Sequence, residues 1–191
     1  MSRRRTPPTT IDAARRARFE AVFREVYQPL QAYARRRADA AAADDVVADA
    51  MLVIWRRLDE LPSGSALPWS YAVARRCLAN QRRGEHRSAA LVDRLHAQRL
   101  HPVAGPGDAV DAVDEQLAAA LAQLDADDRE IVRLWAWEQL PPREMAVVLD
   151  ISANAAAIRV HRAKQRLAQA LQRKDAAAGG HTGVGSAKEA T

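Results

Sequence analysis

The sequence predicts an all-α fold of two small helical domains joined by a flexible linker, the C-terminal one containing a helix-turn-helix. Three observations carry this. Ala, Leu and Val dominate an apolar content of 48%, with few aromatics and little alternating β-branched sequence, so helix is favoured over strand. Apolar residues recur at helical spacing through several separate stretches. Between them His101 to Asp111, HPVAGPGDAVD, interrupts the pattern with Pro, Gly and small residues. A chain of 191 residues with this composition can pack one core or two small ones.

Taken in order, residues 1–14 are expected to be a disordered basic N-terminus, because no apolar period runs through them. Phe19, Val22, Phe23, Val26, Tyr27, Leu30 and Tyr33 then follow a helical period and predict a bulky buried face. A second helix is expected from about Ala43 to Leu58, with Val47, Ile54 and Leu58 inward. Asp45, Ala48, Asp49, Leu52 and Trp55 fall on another face, acidic at one end and apolar at the other. Such a stripe suits a protein partner, and equally a solvated helix with Leu52 in a local contact. After the loop Asp59 to Pro68, a third helix is expected to begin near Trp69, with Val73, Ala74, Cys77 and Leu78 inward. Arg76, Asn80, Arg83 and Arg87 fall at i, i+4, i+7 and i+11 on its opposite side, with Arg75 and Arg82 beside them, and form a basic ridge. Trp69 and Tyr71 offer flat rings on which an unpaired base could stack, or they belong to the core. Residues 15–87 thus read as an N-terminal helical domain, followed by a linker over 88–110.

Residues 111–174 read as the C-terminal domain, and its most informative stretch is LPPREMAVVLDISANAAAIRVHRAKQRLAQAL from Leu140. Met145, Val148, Leu149 and Ile151 give a first short helix an apolar side, with Glu144 where a capping-box acid would sit. Ser152 has the character of an N-cap for a second helix. There Ala156, Val160, Ala163 and Leu167 make an inward stripe, while Asn154, Ala157, Ile158, His161 and Gln165 face out. Arg159, Arg162, Lys164 and Arg166 surround that outward face with charge suited to phosphate. The alternative is an amphipathic hairpin with a solvated basic surface. Residues 175–191, DAAAGGHTGVGSAKEAT, lack an apolar face and are expected to be a disordered tail.

Charge is distributed in blocks. Residues 1–37 carry ten Arg against three acids, whereas 39–61 carry six acids against two Arg. From 62 to 101 seven Arg face two acids, from 108 to 130 eight acids face one Arg, and from 131 to 174 eight cations face three acids. Two basic surfaces separated by acidic ones favour nucleic acid plus a second kind of partner. Net charge is +5, and nearly all the cations are Arg, the side chain that best grips phosphate.

Other classes are disfavoured. No apolar run approaches the ~20 residues of a membrane span, so membrane insertion is not expected. The N-terminal cations are followed by no apolar segment of a secretory signal, and the reading is cytoplasmic. Cys77 is the only cysteine, which excludes a disulfide within the chain and suggests a structural thiol. His86, His96, His101, His161 and His181 show no metalloprotease spacing, no Cys pairs accompany them, and there is no phosphate-binding Gly-Lys loop. No catalytic residue, metal or cofactor is assigned.

The order of these motifs resembles the extracytoplasmic-function (ECF) sigma factors, two-domain bacterial RNA polymerase initiation subunits, over about residues 17 to 172. FEAVFREVYQPLQAYARRR is similar to their opening helix, DDVVADAMLVIWRRLDEL to the polymerase-binding helix, PWSYAVARRCLANQRRGEHR to the −10 helix, and the segment from Leu124 to Leu167 to the −35 domain. The resemblance implies a subunit without an active site of its own. It binds core RNA polymerase through the β′ clamp helices and β, melts the −10 element of promoter DNA and reads the −35 element as duplex. An anti-sigma factor is a further partner the family implies.

By position, the resemblance assigns Asp45, Ala48, Asp49, Leu52 and Trp55 to polymerase docking. It assigns Trp69, Tyr71, Arg75, Arg76, Asn80, Arg83 and Arg87 to the −10 element. Arg143, Ser152, Asn154, Ala157, Ile158, Arg159, His161, Arg162 and Lys164 fall to the −35 element. Departures from the family pattern are Ala48 for a frequent Gln, Arg76 for Asn, Asn80 for Asp, Asp150 for a turn Gly and Pro141 for a Ser or Thr cap. The alternative is an autonomous helix-turn-helix regulator that binds duplex DNA without polymerase. It would need no acidic docking stripe.

Overall fold

The computed structural model describes residues 10–62, 64–95 and 112–179. Their regular structure is helical throughout: α1 Thr10–Arg35, α2 Ala40–Arg56, α3 Ala66–Leu95, α4 Ala112–Ala122, α5 Ala126–Ala136, α6 Pro142–Leu149 and α7 Ala153–Gly179, with one 3₁₀ turn at Leu58–Glu60. The chain divides into two compact units. One holds α1 to α3, and Glu144–Ile151 groups with it; the other holds α4, α5 and α7.

Three helices outrun the pattern that announced them. α1 begins at Thr10, inside the stretch expected to be disordered; α3 continues to Leu95, past the expected linker start at 88; α7 continues to Gly179, past 175. Ala- and Arg-rich sequence keeps helix propensity where apolar periodicity has already faded. The rest of the expected linker and tail, residues 1–9, and His96, His101 and His181 lie outside the described residues.

In the first unit α1 buries Val22, Val26, Leu30 and Tyr33, α2 buries Val46, Val47, Ala50 and Ile54, and α3 buries Tyr71, Val73, Ala74 and Leu78. Phe23, expected on the buried face, is 37% exposed. The reason is angular. The row Phe19, Phe23, Tyr27 is turned about 100° from the row of Val22, Val26 and Leu30, because Phe23 and Tyr27 each follow a residue of that row by one position. They stack on one another instead, with ring centroids 6.2 and 4.6 Å apart. Asp39 sets the start of α2 by accepting from the Ala42 N–H at 2.8 Å. At the other end Arg15 donates to the Trp55 carbonyl at 2.8 Å and pairs with Asp59, while Arg18 donates to the Leu61 carbonyl at 3.2 Å. These cations satisfy carbonyls that the end of α2 leaves open, and they fix the rotation of its exposed face.

In the second unit Leu121, Leu124, Ile131, Val132 and Leu134 are buried together with Ala156, Val160, Ala163 and Ala170 of α7. Arg129 closes the end of α4 by donating to the carbonyls of Leu121, Ala122 and Leu124 at 2.9, 3.2 and 2.8 Å. Asp125 caps α5 through the Asp128 N–H at 2.7 Å. α6, most of which groups with the first unit, ends with Asp150 at φ 56 and the Ile151 N–H donating to the Ala146 carbonyl at 3.1 Å, a left-handed cap usually built on Gly. Ser152 Oγ then accepts from the Ala155 N–H at 3.1 Å and opens α7.

Candidate functional site

Three surfaces carry the residues singled out from the sequence. On α2 Asp45, Ala48, Asp49 and Leu52 are all exposed, Leu52 at 52%, and form one continuous strip. Trp55 ends the strip half-buried. Its ring meets Phe19 edge-on at 5.1 Å and lies 5.3 Å from the Arg15 guanidinium. The strip is therefore solvated at its acidic end and braced by α1 at its aromatic end. A preformed surface of this kind loses little side-chain freedom on docking.

On α3 Arg76, Asn80, Arg83 and Arg87 are exposed in a line, as the i, i+4, i+7, i+11 spacing requires. Asn80 Oδ1 accepts from Arg83, which points that guanidinium along the helix. Arg75 is half-buried, and Arg82 donates to the Arg37 carbonyl at 3.0 Å. Arg37 itself is buried, donating to the Tyr33 carbonyl at 3.0 Å with its guanidinium 3.6 Å from the Tyr33 ring. Beneath the ridge, the same residue type thus serves as packing material.

The two aromatics at the start of α3 part company. Tyr71 is 3% exposed and its ring lies 4.9 Å from that of Tyr33, so it belongs to the core and cannot receive a base. Its position two residues from Trp69 turns it about 200° around the helix, onto the buried side. Trp69 stays half-exposed with the Arg57 guanidinium 5.6 Å from its ring. Arg57 in turn donates to Glu60 and holds that carboxyl below its ordinary range, chiefly through the hydrogen bond. Cys77 faces partly inward, and burial, with the nearby Asp49 charge, pushes its thiol above the usual range. That disfavours the thiolate a reactive cysteine needs.

On α7 the outward residues Asn154, Ile158 and His161 are exposed, Ile158 at 43%, and Ala157 is half-exposed beside them. His161 shares a ring-nitrogen hydrogen bond with Gln165 at 3.1 Å, which orders two of the outward side chains. The cations around this face differ from one another. Arg166 pairs with Asp128, a buried carboxylate, and lies 3.8 Å from Asp125. Arg159 lies 3.8 Å from Asp127 with both side chains largely exposed. The Lys164 ammonium sits 3.9 Å from the centre of the Trp135 ring. Arg162 is exposed and makes no ion pair among the described residues. Arg143 is exposed in the first turn of α6 and has an interaction of its own.

Sequence reasoning placed Arg166 with the phosphate ligands. The structure makes it a fold residue, because a buried carboxylate 38 positions away claims it. No local signal reveals such a pair. The contacts between α5 and α7 are likewise not legible from local spacing: Asp128 and Trp135, about 10 Å apart along α5, reach Arg166 and Lys164 of α7.

Residues 22–88 match the family model for sigma-70 region 2, and residues 114–167 match that for sigma-70 region 4. The chain is 30% identical over 165 residues to the ECF RNA polymerase sigma factor SigL of Mycobacterium tuberculosis, covering 84% of this chain and 92% of the relative. It is 32% identical over 149 residues to the probable RNA polymerase sigma factor RfaY of Xanthomonas campestris, covering 74% of this chain but only 37% of that protein. Among solved structures it resembles the sigma factor RpoE crystallised with the anti-sigma factor NepR from Bartonella quintana. The TM-score is 0.62 at 25% identity, over 81% of this chain and 96% of the other. No helix among the described residues is long and apolar enough to cross a membrane.

Two substitutions separate fold from interface. Tyr71→Ala removes a buried aromatic and is expected to lower stability by ~3–5 kcal/mol in urea unfolding; a stacking residue on the surface would leave the midpoint unmoved. Arg166→Ala leaves Asp128 buried without its partner and is expected to cost ~1–3 kcal/mol, reduced from the fully buried case because Arg166 is half solvated. Arg162→Ala serves as the control, with less than ~0.5 kcal/mol expected.

Proposed function

The chain belongs to the ECF RNA polymerase sigma factors, which bind core polymerase and promoter DNA, and we propose that its surfaces divide that work as follows. The α2 strip of Asp45, Ala48, Asp49, Leu52 and Trp55 docks on the β′ clamp helices of core polymerase, with β as a further contact. The α3 ridge of Arg75, Arg76, Asn80, Arg83 and Arg87, with Trp69 at its start, holds the melted −10 element. Tyr71 is left out of that set by its burial. The outward face of α7, Asn154, Ala157, Ile158 and His161, reads the −35 duplex, with Ser152 opening the helix and Arg143, Arg159, Arg162 and Lys164 along its flanks. Domain limits of 15–87 and 111–174 with a linker over 88–110 accommodate this division. The place of action is the cytoplasm, where polymerase and DNA are, and no step is enzymatic.

The observation that carries the reading is the unbroken exposure of Arg76, Asn80, Arg83 and Arg87 along one edge of α3, above a core that leaves them no other task. Phosphate attraction from such a ridge is sequence-independent and salt-sensitive, while base contacts add the smaller sequence-dependent part. Asn80 directs Arg83 along the ridge, and Trp69 supplies one ring for an unpaired base once Arg57 shares its face. An anti-sigma partner, as in the RpoE and NepR complex, would act by covering the α2 strip or the α3 ridge.

On α7 the reading face is unusual in chemistry. Ala157 and Ile158 cannot make the paired hydrogen bonds that identify guanine or adenine, but they can pack on a thymine methyl. The −35 element should therefore contain thymine where this face meets it. Transcription by core polymerase on a genomic fragment library, with start sites mapped, tests the whole assignment. Start sites that depend on this protein are expected, and none at all, despite confirmed binding to core, would refute it. Arg83→Ala is expected to weaken open-complex formation and to increase dependence on promoter supercoiling; unchanged runoff from linear templates at all salt concentrations would remove the ridge from the mechanism. Replacing the −35 thymines by uracil should weaken binding by roughly two- to ten-fold, the scale of one lost methyl contact.

A further inference from the structure

The first turn of α5 carries Asp125, Asp127 and Asp128, and α7 presents Arg159, Arg162 and Arg166 to it at i, i+3 and i+7 across one open groove. Asp125 caps α5, and Asp128 is buried against Arg166. Asp127, 65% exposed like Asp125, has a further interaction of its own and lies 3.8 Å from an Arg159 that is itself 49% exposed. Arg159 follows Ile158 in sequence and flanks the outward face of α7. Turning its long side chain from the carboxylate to a phosphate needs only rotamer changes.

We propose that Asp127 is an internal competitor for phosphate, which holds Arg159 in reserve and so lowers the sequence-independent part of the −35 grip. The proposal rests on the reading of α7 as the duplex-binding helix. A phosphate oxygen and the Asp127 carboxylate are like ligands for one guanidinium, and only one can hold it in the bidentate fork. Binding DNA then exchanges an internal ion pair for an external one. Part of the phosphate attraction is cancelled, and the release of salt ions from DNA is not accompanied by a newly neutralised arginine. Exposed pairs of this kind change an equilibrium by roughly two- to five-fold. That is enough to shift a weak contact without disturbing the fold. Arg166 is excluded from this role because releasing it would strand a buried carboxylate.

The test is a double-substitution cycle on the holoenzyme reconstituted from the full chain and core polymerase. Its probes are a labelled duplex promoter fragment recovered by start-site mapping and a random-sequence duplex of equal length. Asp127→Asn is expected to tighten both complexes about three-fold and to steepen the fall of affinity with salt by less than the ~0.9 in log–log slope of one whole phosphate contact, since no freed Asp127 then takes up a cation as Arg159 turns to phosphate. Arg159→Ala is expected to weaken both. In the Arg159→Ala background, Asp127→Asn should give neither the gain nor the steeper slope. A gain that survives undiminished without Arg159 would mean that Asp127 acts only as bulk charge, and weaker binding by Asp127→Asn would mean that it positions Arg159 for DNA; either result overturns the proposal. Should the wild-type holoenzyme fail to retain the promoter fragment, the reading of α7 falls and the proposal with it. Retention without coupling removes the proposal alone. Unchanged thermal unfolding of Asp127→Asn, expected of an exposed residue, excludes misfolding as the cause.

Discussion

The pairing of Arg166 with the buried carboxylate of Asp128 fixes which side of α7 can meet anything else. A carboxylate at that depth has to be paired, since leaving it alone costs several kcal/mol. Once Arg166 is committed, the rotation of α7 on α5 is set, because Ala156, Val160, Ala163 and Ala170 must follow it inward. Asn154, Ile158 and His161 are then turned outward as a group. The inward stripe is built mostly of small residues, and Lys164 lies over Trp135 while Arg159 lies near Asp127. Arg159 and Lys164 are thus placed by side chains of α5, while Arg162 stays exposed.

The first unit solves a related problem with different means. It has to keep an acidic strip on α2 and a basic ridge on α3 while both helices share a core with α1. Arginine is used there for three purposes. Arg15 and Arg18 close the end of α2 through carbonyls, Arg37 packs on Tyr33 beneath the surface, and Arg76, Arg83 and Arg87 remain in solvent. The planar, weakly hydrated guanidinium makes the first two uses possible, since it can be buried against an aromatic face at a cost an ammonium would not tolerate. A high arginine count therefore overstates the charge available to DNA. Composition alone cannot distinguish the three uses.

What was legible in the sequence was what depends on period. The helical class, the inward stripes of α2 and α7 and the exposed line on α3 all follow from local spacing, and the structure has them there. What was not legible depends on partners far away in the chain. Tyr71 looked as available as Trp69 until Tyr33 came to lie against it. Phe23 looked as buried as Val22, but the core takes the row of Val22, Val26 and Leu30 and leaves the neighbouring row at its edge. Arg166 and Arg159 were indistinguishable as neighbours of an outward face, and only the carboxylates of α5, 38 and 32 positions earlier, separate them. Helix ends were missed for a third reason. Ala-rich sequence continues a helix without any apolar contact to mark it.

Under the proposed division of surfaces, affinity and specificity are built from different atoms in this chain. Arg162, Lys164 and the ridge on α3 offer charge to any backbone, whereas Ala157 and Ile158 offer only shape and apolar surface to a base edge. A methyl contact is worth about 1 kcal/mol, at the low end of the ~1–3 kcal/mol that a bidentate pair to guanine supplies. A reading face this weak cannot locate a promoter by itself. It becomes useful when a second contact, on the −10 element, is made by the same chain on the same DNA, because the second binding event is then intramolecular and weak contacts combine. Strong, sequence-blind phosphate binding by α7 would defeat that arrangement, since it would retain the protein anywhere on duplex DNA. Moderated charge beside an apolar reading face is the composition that lets two weak contacts discriminate together where one strong contact would not.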